Sequence, residues 1–285
     1  MAYAGVLTQE TDDELREYGE AYIAASYIKY LESAGARVAP IRLLVPGGAV
    51  NLITSGYAKA TKVFYDETIS AAQREDMFPL WGTCLGFEEL MTITASQNLL
   101  AHTDSKNLSL PLEFNVDPAT SRIFQHFPPD VIKALSTEDI TANFHSWSLT
   151  LKNYSENSDL QQMYRIVSVN TDRNGIKFIS TVEAYNYPIY AVQWHPEKAP
   201  FEWKENRAYS HLSSAVRASF YMADFFVNEG EKLSQIPNKS MEDAALIYQN
   251  IPVYTENTSG FTQAYFYGSS YSSIKNNNQS DSPGM

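Results

Sequence analysis

The chain has one cysteine, and its surroundings are those of a nucleophile. Cys84 lies in Trp81-Gly-Thr-Cys-Leu-Gly86, a Gly-x-Cys-x-Gly spacing that follows an apolar run and precedes a helical pattern. This is the cysteine form of a nucleophile elbow: the glycines permit a sharp strand-to-helix turn that lifts the sulfur to the edge of a sheet. A helix N-terminus beside the sulfur favours the thiolate. Outside such a motif, a lone cysteine is more often a small buried hydrophobe. A thiol nucleophile needs a base, and His195 in Gln193-Trp-His-Pro-Glu197 is the candidate. Pro196 disfavours helix at His195, so the segment reads as extended, with Glu197 on the same side as the imidazole. Glu197 then orients His195, as the third member of a triad does. Pro46-Gly47-Gly48 follows another apolar run. Alone it reads as a turn; beside Cys84, the Gly48 N–H and the Leu85 N–H would receive the charge of a tetrahedral intermediate.

These residues need elements to hold them. Residues 4–8 read as a first strand and residues 19–35 as a helix, because Tyr22, Ile23, Ser26, Tyr27, Tyr30 and Leu31 recur at three- and four-residue spacing. Residues 57–72 and 87–95 are again helical, with a short buried strand ending at Trp81 between them. Strand patterns at 164–169, 178–182 and 189–193 follow, then a helix around 208–228. The alternation predicts an α/β fold, a three-layer sandwich around a mostly parallel central sheet. Residues 1–267 read as one catalytic domain, and 268–285, rich in Ser, Asn and Gly, as a disordered tail. One stretch is awkward. Arg37 to Ile41 and Leu43 to Val45 both look like strand, yet parallel neighbours need a crossover of about a dozen residues or more. Either residues 37–45 form one long extended segment, or a crossover helix is missing.

Composition narrows the function. With 44% hydrophobic and 19% charged residues the chain is ordinary for a globular enzyme. A formal charge of −12 argues against nucleic acid as a partner, because phosphates are bound by Lys and Arg. No apolar run is long enough to span a membrane. A single cysteine rules out an internal disulfide and a thiolate-rich metal site, and neither a metal nor a cofactor is expected. No signal peptide is visible, while sequons at Asn107, Asn153, Asn238, Asn257 and Asn278 tilt the reading towards the secretory route.

Taken together, the Pro46-Gly-Gly turn, Trp81-Gly-Thr-Cys-Leu-Gly-Phe-Glu-Glu-Leu90 and Gln193-Trp-His-Pro-Glu-Lys-Ala-Pro-Phe-Glu-Trp203 resemble the γ-glutamyl hydrolases. These are folate polyglutamate hydrolases related to class I glutamine amidotransferase domains. Residues 22–37, Thr141-Ala-Asn-Phe-His-Ser-Trp-Ser148 and Ala245-Leu-Ile-Tyr248 carry the likeness further, and it covers residues 4 to 267. The elbow alone would fit any class I amidotransferase; the Phe-Glu-Glu continuation and Asn-Phe-His-x-Trp-Ser point to the hydrolase. The resemblance implies the amidotransferase-like fold, with Cys84 as nucleophile, His195 as base and Glu197 as its orienter. It implies that His145 lies near the scissile amide, assisting substrate binding or proton transfer. It also places Glu88, which stands where amidotransferases usually carry Gln, and Tyr27 in the substrate pocket. Read without it, His145 is a packed or surface histidine and Tyr27 a core tyrosine. The implied substrates are folate or antifolate poly-γ-glutamates, the implied location is lysosomal or secreted, and a homodimer is compatible.

Poly-γ-glutamate is anionic, as is this chain; Lys198, Lys204 and Arg207 would supply a local positive rim, unless they are ordinary surface charges. The family's crossover before the Pro-Gly-Gly strand is the piece missing here, which puts the oxyanion turn in doubt. Two rival readings therefore stand: a glutaminase-type amidotransferase domain, and a catalytically weakened variant.

Overall fold

The computed structural model describes residues 2–12, 14–229 and 246–268. In chain order the first half contains β1 (Ala2–Val6), β2 (Gln9–Glu10), β3 (Ala21–Ala24), α1 (Ala25–Ser33), β4 (Ala36–Val45), α2 (Gly56–Gln73), β5 (Leu80–Thr83) and α3 (Leu85–Ala95). Short strands β6 (Ala101–His102), β7 (Leu108–Leu110) and β8 (Glu113–Phe114) lead to α4 (Pro129–Thr137), β9 (Thr141–Asn143) and β10 (Trp147–Ser148). The remainder holds α5 (Leu151–Ser155), α6 (Ser158–Met163), β11 (Tyr164–Thr171), β12 (Lys177–Ala184), β13 (Ile189–Val192), α7 (Lys198–Phe201), α8 (Ser213–Glu229), β14 (Val253–Tyr254) and β15 (Gln263–Tyr267). Apart from Gly268, the stretch expected to be a disordered tail lies outside the described residues, as do Asn238, Ala245 and Asn278.

The central sheet has the order β1-β4-β5-β13-β12-β11-β8. Its β1–β4, β4–β5 and β5–β13 pairings are parallel, and the remaining three are antiparallel. Side chains on a strand alternate between faces, and here both faces are apolar. Leu44, Trp81, Tyr190 and Val192 pack with Ile28 and Leu31 of α1 and with Met222 and Phe226 of α8. Leu43, Val45, Leu80, Ile189 and Ala191 pack on the other side with Tyr57 of α2 and Phe87, Leu90 and Met91 of α3. Helix, sheet and helix form the three layers expected of an α/β sandwich.

The helix expected over residues 19–35 begins only at Ala25. Residues 21–24 are strand β3, because β15 from the far end of the chain pairs with them on one side and β2 on the other. A four-stranded sheet, β14-β15-β3-β2, results. Helical spacing in residues 22–31 carries no trace of a partner more than 230 residues away, so this tertiary contact overrides the local pattern.

The awkward stretch resolves as one strand. β4 runs unbroken from Ala36 to Val45, pairs with β1 on one side, and at its C-terminal end pairs with β5 on the other. Its register on β1 jumps from Ala4 opposite Val38 to Gly5 opposite Leu43, so residues 39–42 have no partner on β1. The chain crosses from β1 to β4 through α1, and from β4 to β5 through α2. No second crossover helix lies between residues 36 and 45, and β1 becomes the sheet edge. Because Val45 keeps its place opposite Gly82, the turn at Pro46 leaves the sheet beside the elbow.

Candidate active site

Strands β5 and β13 run in parallel, with Thr83 paired to Val192, so they end at the same edge of the sheet. Cys84 follows the one and His195 the other. Ligand sites in open α/β sheets lie outside the carboxyl ends of such strands. Cys84 is the N-cap of α3, at φ 51° and ψ −104°, and its N–H donates to Val192 O at 2.9 Å. A residue bearing Cβ pays strain in that region, and strained backbone persists where its surroundings enforce it. The two glycines explain the enforcement. A Cβ on Gly82 would lie 2.6 Å from Gly86 O, and one on Gly86 would lie 2.1 Å from Val45 O. The elbow therefore closes on its own backbone and on β4 at once.

A thiolate poised by the helix N-terminus was expected, and here the structure differs. Burial, with the carboxyls of Glu88 and Glu197 close by, raises the Cys84 thiol well above its ordinary range. Lys198 and the Leu85 N–H act in the opposite sense without overcoming it. The resting nucleophile is an uncharged thiol that must pass its proton to a base.

His195 is 5% exposed and its backbone N–H donates to Ala142 O at 2.9 Å. Its Nδ1 is 2.6 Å from Glu197 Oε1. Glu197 reaches it by a different route from the one the sequence suggested. Residues 193–197 are not extended; Glu197 has helical φ and ψ and caps the one-turn helix α7. A turn brings the carboxylate back under the ring, where strand alternation was expected to do so. Burial pushes Glu197 up, but the His195 imidazole and its hydrogen bond, aided by Lys198, outweigh this and hold it below the usual carboxylate range. Burial lowers His195, and Glu197 pulls it back only in part. The pair therefore rests as a carboxylate and a neutral imidazole. Nδ1–H donates to Glu197, leaving Nε2 as the basic nitrogen.

The Pro46-Gly47-Gly48 turn is pinned from three sides. Gly47 N–H donates to Tyr27 Oη at 2.7 Å, Gln9 Nε2 donates to Gly47 O at 2.7 Å, and Tyr57 Oη donates to Pro46 O at 2.6 Å. Tyr27 is 1% exposed and its hydroxyl lies 3.4 Å from His195 Nδ1. Its hydroxyl thus sits beneath the turn, between Gly47 and the imidazole. A Cβ on Gly47 would meet His195 Cε1 at 2.7 Å, Tyr27 Oη at 2.8 Å and Cys84 Cβ at 3.2 Å. Gly47→Ala is accordingly expected to displace the imidazole and lower kcat by about 10²-fold or more, with the far-ultraviolet circular dichroism unchanged. Steady-state kinetics alongside the spectrum check it.

Two cavities meet at Cys84. One, of about 500 Å³, is lined by Gly48, Leu85, Glu88, His145 and Trp147 among others, and among the described residues no Lys or Arg lines it. The second, of about 240 Å³, is lined by Gly47, His195, Lys106, Lys198 and Arg207, with Asp12 its one acidic lining residue among the described residues. Gly48 and Leu85 thus share a cavity with the sulfur, as an oxyanion pair requires.

His145 is 4% exposed, and burial next to His195 pushes its pKa down to about 3. It is a neutral imidazole with one ring proton. Asn143 Nδ2 donates to Thr141 O, so Asn143 presents Oδ1 to His145 Nε2 at 3.1 Å. On the other side Nδ1 lies 3.1 Å from Trp147 O and 3.0 Å from the Ser148 hydroxyl, which is itself 2.7 Å from that of Thr103. His145 lines the cavity beside Cys84, with both ring nitrogens engaged by protein partners.

Glu88 is 7% exposed and its Oε1 accepts from Gln193 Nε2 at 3.0 Å. Burial pushes its pKa up to about 8, although the Gln193 bond pulls the other way. Up to mildly alkaline pH it is a carboxylic acid, suited to hydrogen bonding and not to ion pairing. The folded chain holds a proton that the unfolded chain releases above an ordinary value near 4.5. Stability should therefore fall as pH rises from about 4.5 to about 8 and level off beyond. Glu88→Gln removes that slope, so its Tm should gain on the wild type progressively across this interval. Calorimetry at a series of pH values measures it; Glu89, raised to about 7 by burial, leaves a residual slope of the same sign.

The sequence did not point to Gln9 or Tyr57, which stand in no recognisable motif and lie 38 and 11 residues from the turn residues they hold. Asn143 stands in the Asn-Phe-His-x-Trp-Ser motif two residues from His145, but its hold on the ring was not foreseen. Lys198 was expected on a surface rim with Lys204 and Arg207, yet it is 5% exposed. Lys204 donates to Glu256 O and Ser259 O, whereas Arg207 does line the second cavity.

The chain matches the Glutamine amidotransferase class-I family over residues 16–210. It is 46% identical to gamma-glutamyl hydrolase of Rattus norvegicus over 281 residues, covering 92% of this chain and 88% of that protein. Against gamma-glutamyl hydrolase of Homo sapiens the identity is 46% over 282 residues, with the same coverage. Gamma-glutamyl hydrolase B of Dictyostelium discoideum is 36% identical over 293 residues, covering 95% of this chain and 84% of its own. With an elbow, a buried His–Glu pair and a pinned Pro-Gly-Gly turn at one sheet edge, and this likeness along nearly its whole length, the chain belongs to the gamma-glutamyl hydrolase family of class-I glutamine amidotransferase proteins.

Proposed function

We propose that this protein hydrolyses γ-glutamyl amide bonds of poly-γ-glutamylated folates through a thioester on Cys84. The observation that carries this reading is the meeting, at one sheet edge, of a strained cysteine elbow with a neutral His195 held by Glu197. Cys84 Sγ attacks the γ-carbonyl carbon while His195 Nε2 takes the thiol proton. The carbonyl oxygen becomes an oxyanion received by the N–H groups of Gly48 and Leu85. Collapse breaks the C–N bond, and the leaving amine takes the proton from His195. Water, deprotonated by the same nitrogen, then cleaves the thioester, freeing the γ-carboxylate and restoring the thiol.

Glu88 and His145 line the acyl side in this reading. In a poly-γ-glutamate the acyl residue's nitrogen is already an amide, so Glu88 has no ammonium to pair there; its protonated form would donate to a substrate oxygen. Tyr27 acts through the turn that it holds. Residues 1–267 act as one catalytic unit in this reading, which also includes self-association as a homodimer, readable by sedimentation.

The relatives' names support hydrolysis over ammonia transfer. Incubation of the purified protein with a γ-linked glutamate oligomer, and in parallel with free glutamine, tests the choice. Release of glutamate from the oligomer is expected; ammonia from glutamine would favour an amidotransferase subunit, and no product from a folded sample would favour a binding role. The proposed location is lysosomal or secreted, supported by the sequons. Loss of glycosidase-sensitive mass in a secretory host would count against it. Among the described residues no helix is long and apolar enough to cross a membrane.

A further inference from the structure

Behind the His195–Glu197 pair lies a set of buried polar groups that the reaction above leaves unused. Glu197 is fully enclosed, and only one of its two oxygens is accounted for. Oε1 holds His195 Nδ1, while Oε2 has no hydrogen-bond partner among the described residues. A buried carboxylate oxygen without a donor is costly. Helix α1 packs on this side, and its Tyr27 hydroxyl lies 3.4 Å from the same Nδ1. Tyr30 stands three residues further on, a spacing that puts two side chains on one face of a helix. It belongs to the core that also holds Tyr27, Trp194 and Ala199, the last two flanking the pair along the chain. The Tyr30 hydroxyl is buried and unpartnered, and so is that of Ser26, one turn earlier on the same face. Burial raises the Tyr30 phenol, and the charge of Glu197 raises it further.

Two donors and one acceptor are thus left over in one enclosed region. None of the three bonds another directly, since each lacks a partner. A single water between them would have the two to four polar neighbours that buried waters take. We propose that Tyr30 is a positioning residue for Glu197, its hydroxyl donating to one buried water that donates in turn to the carboxylate oxygen His195 leaves free. The Ser26 hydroxyl donates to the same water. This link fixes the carboxylate, and with it the orientation of the imidazole toward Cys84. It also stabilises the anionic form of Glu197 and offsets part of its charge, which moderates how strongly Glu197 holds a proton on His195. Tyr30 acts only through Glu197. The kinetic consequences rest on the γ-glutamyl hydrolase reading; the contact itself does not.

Tyr30→Phe tests this in the full chain, because it keeps the ring and removes only the hydroxyl. If Tyr30 merely fills the core, losing an unpartnered hydroxyl leaves the pair unchanged. Proton NMR reads the pair directly through the His195 Nδ1–H resonance, identified by its loss or displacement in Glu197→Gln. That resonance should shift in Tyr30→Phe. Turnover of a γ-glutamyl oligomer should show kcat lowered about three- to tenfold, with KM changed less than about twofold. The acid limb of kcat should move to higher pH by about half a pH unit or more, because the unmoderated charge of Glu197 raises His195. Glu197→Gln is expected to move that limb the other way. The other titratable groups facing the pair, Cys84, Tyr27, His145, Lys198 and Glu202, are kept by the substitution. An unmoved Nδ1–H resonance, or an acid limb that stays or moves to lower pH, overturns the assignment. If Tyr30→Phe does not fold, Ser26→Ala is measured in the same way; a smaller shift of the same sign is expected, and no shift overturns the assignment. A moved resonance in a protein that turns over no γ-glutamyl substrate contradicts the hydrolase reading and leaves the Tyr30 contact standing.

Discussion

Cys84→Ala should reduce turnover of a γ-glutamyl oligomer to background, a loss on the order of 10⁴-fold or more, while the protein remains folded. The loss is this large because no other thiol exists in the chain, and a thioester cannot form without one. The fold should survive because the substitution keeps the Cβ, and with it the same strained backbone at φ 51°. A companion variant separates strain from chemistry. Cys84→Gly removes the strain, about 1–3 kcal/mol for a residue held in such a region, so it should melt higher than Cys84→Ala while being equally inactive. Thermal unfolding of the two variants side by side, with product assays, checks both parts. A Cys84→Gly protein no more stable than Cys84→Ala would show that the elbow stores no strain.

Glu197→Gln should lower kcat by about 10²- to 10⁴-fold with little change in KM. The carboxylate, at 2.6 Å from Nδ1, keeps the imidazole proton there and Nε2 basic. A Gln side chain presents either an acceptor or a donor at that position, and the donor orientation moves the proton to Nε2, where it faces the nucleophile. The pH profile gives a second readout. Burial lowers His195, and Glu197 partly raises it again, so removing the carboxylate should lower His195 further. The acid limb of the residual activity is therefore expected to move to lower pH in Glu197→Gln. The stability effect has its own sign. A carboxyl held below its ordinary value near 4.5 adds stability above that pH, and this is lost as pH falls through the lower folded value. Glu197→Gln should thus cost most near neutrality and least in strong acid.

How much of this the sequence carried depended on distance along the chain. The elbow was legible because every residue it needs lies within six positions, and the Gly82 and Gly86 contacts are made with that same turn and the neighbouring strand. The His195–Glu197 contact was legible as a pair but not as a shape. Pro196 disfavours helix at His195, yet nothing in the local pattern shows that the chain folds back at Glu197 to start α7. Residues 37–45 allowed two readings because strand propensity cannot distinguish one long strand from two joined ones; pairing with both β1 and β5 decides it. The Gln9 and Tyr57 contacts to the Pro46-Gly47 turn join segments 38 and 11 residues apart. Their residue types are common, so only the folded structure selects them. Buried charge was the poorest guide. Helix-dipole reasoning favours a thiolate at Cys84, but burial beside Glu88 and Glu197 outweighs it.

The pinned turn bears on whether the shortened segment before Pro46 impairs the site. Three side chains hold residues 46 and 47, and all come from outside that segment: Gln9 from β2, Tyr27 from α1 and Tyr57 from α2. The turn is thus held by these neighbours as well as by β4, whose Val45 stays paired opposite Gly82. That favours the active reading over the weakened one.

The central claim is a covalent γ-glutamyl thioester on Cys84, and acid-quenched mass spectrometry during turnover tests it most directly. The peptide containing Cys84 should gain the mass of the acyl fragment within the first turnover and lose it to hydroxylamine. Steady turnover with no adduct on that peptide, together with activity surviving in Cys84→Ala, would contradict it.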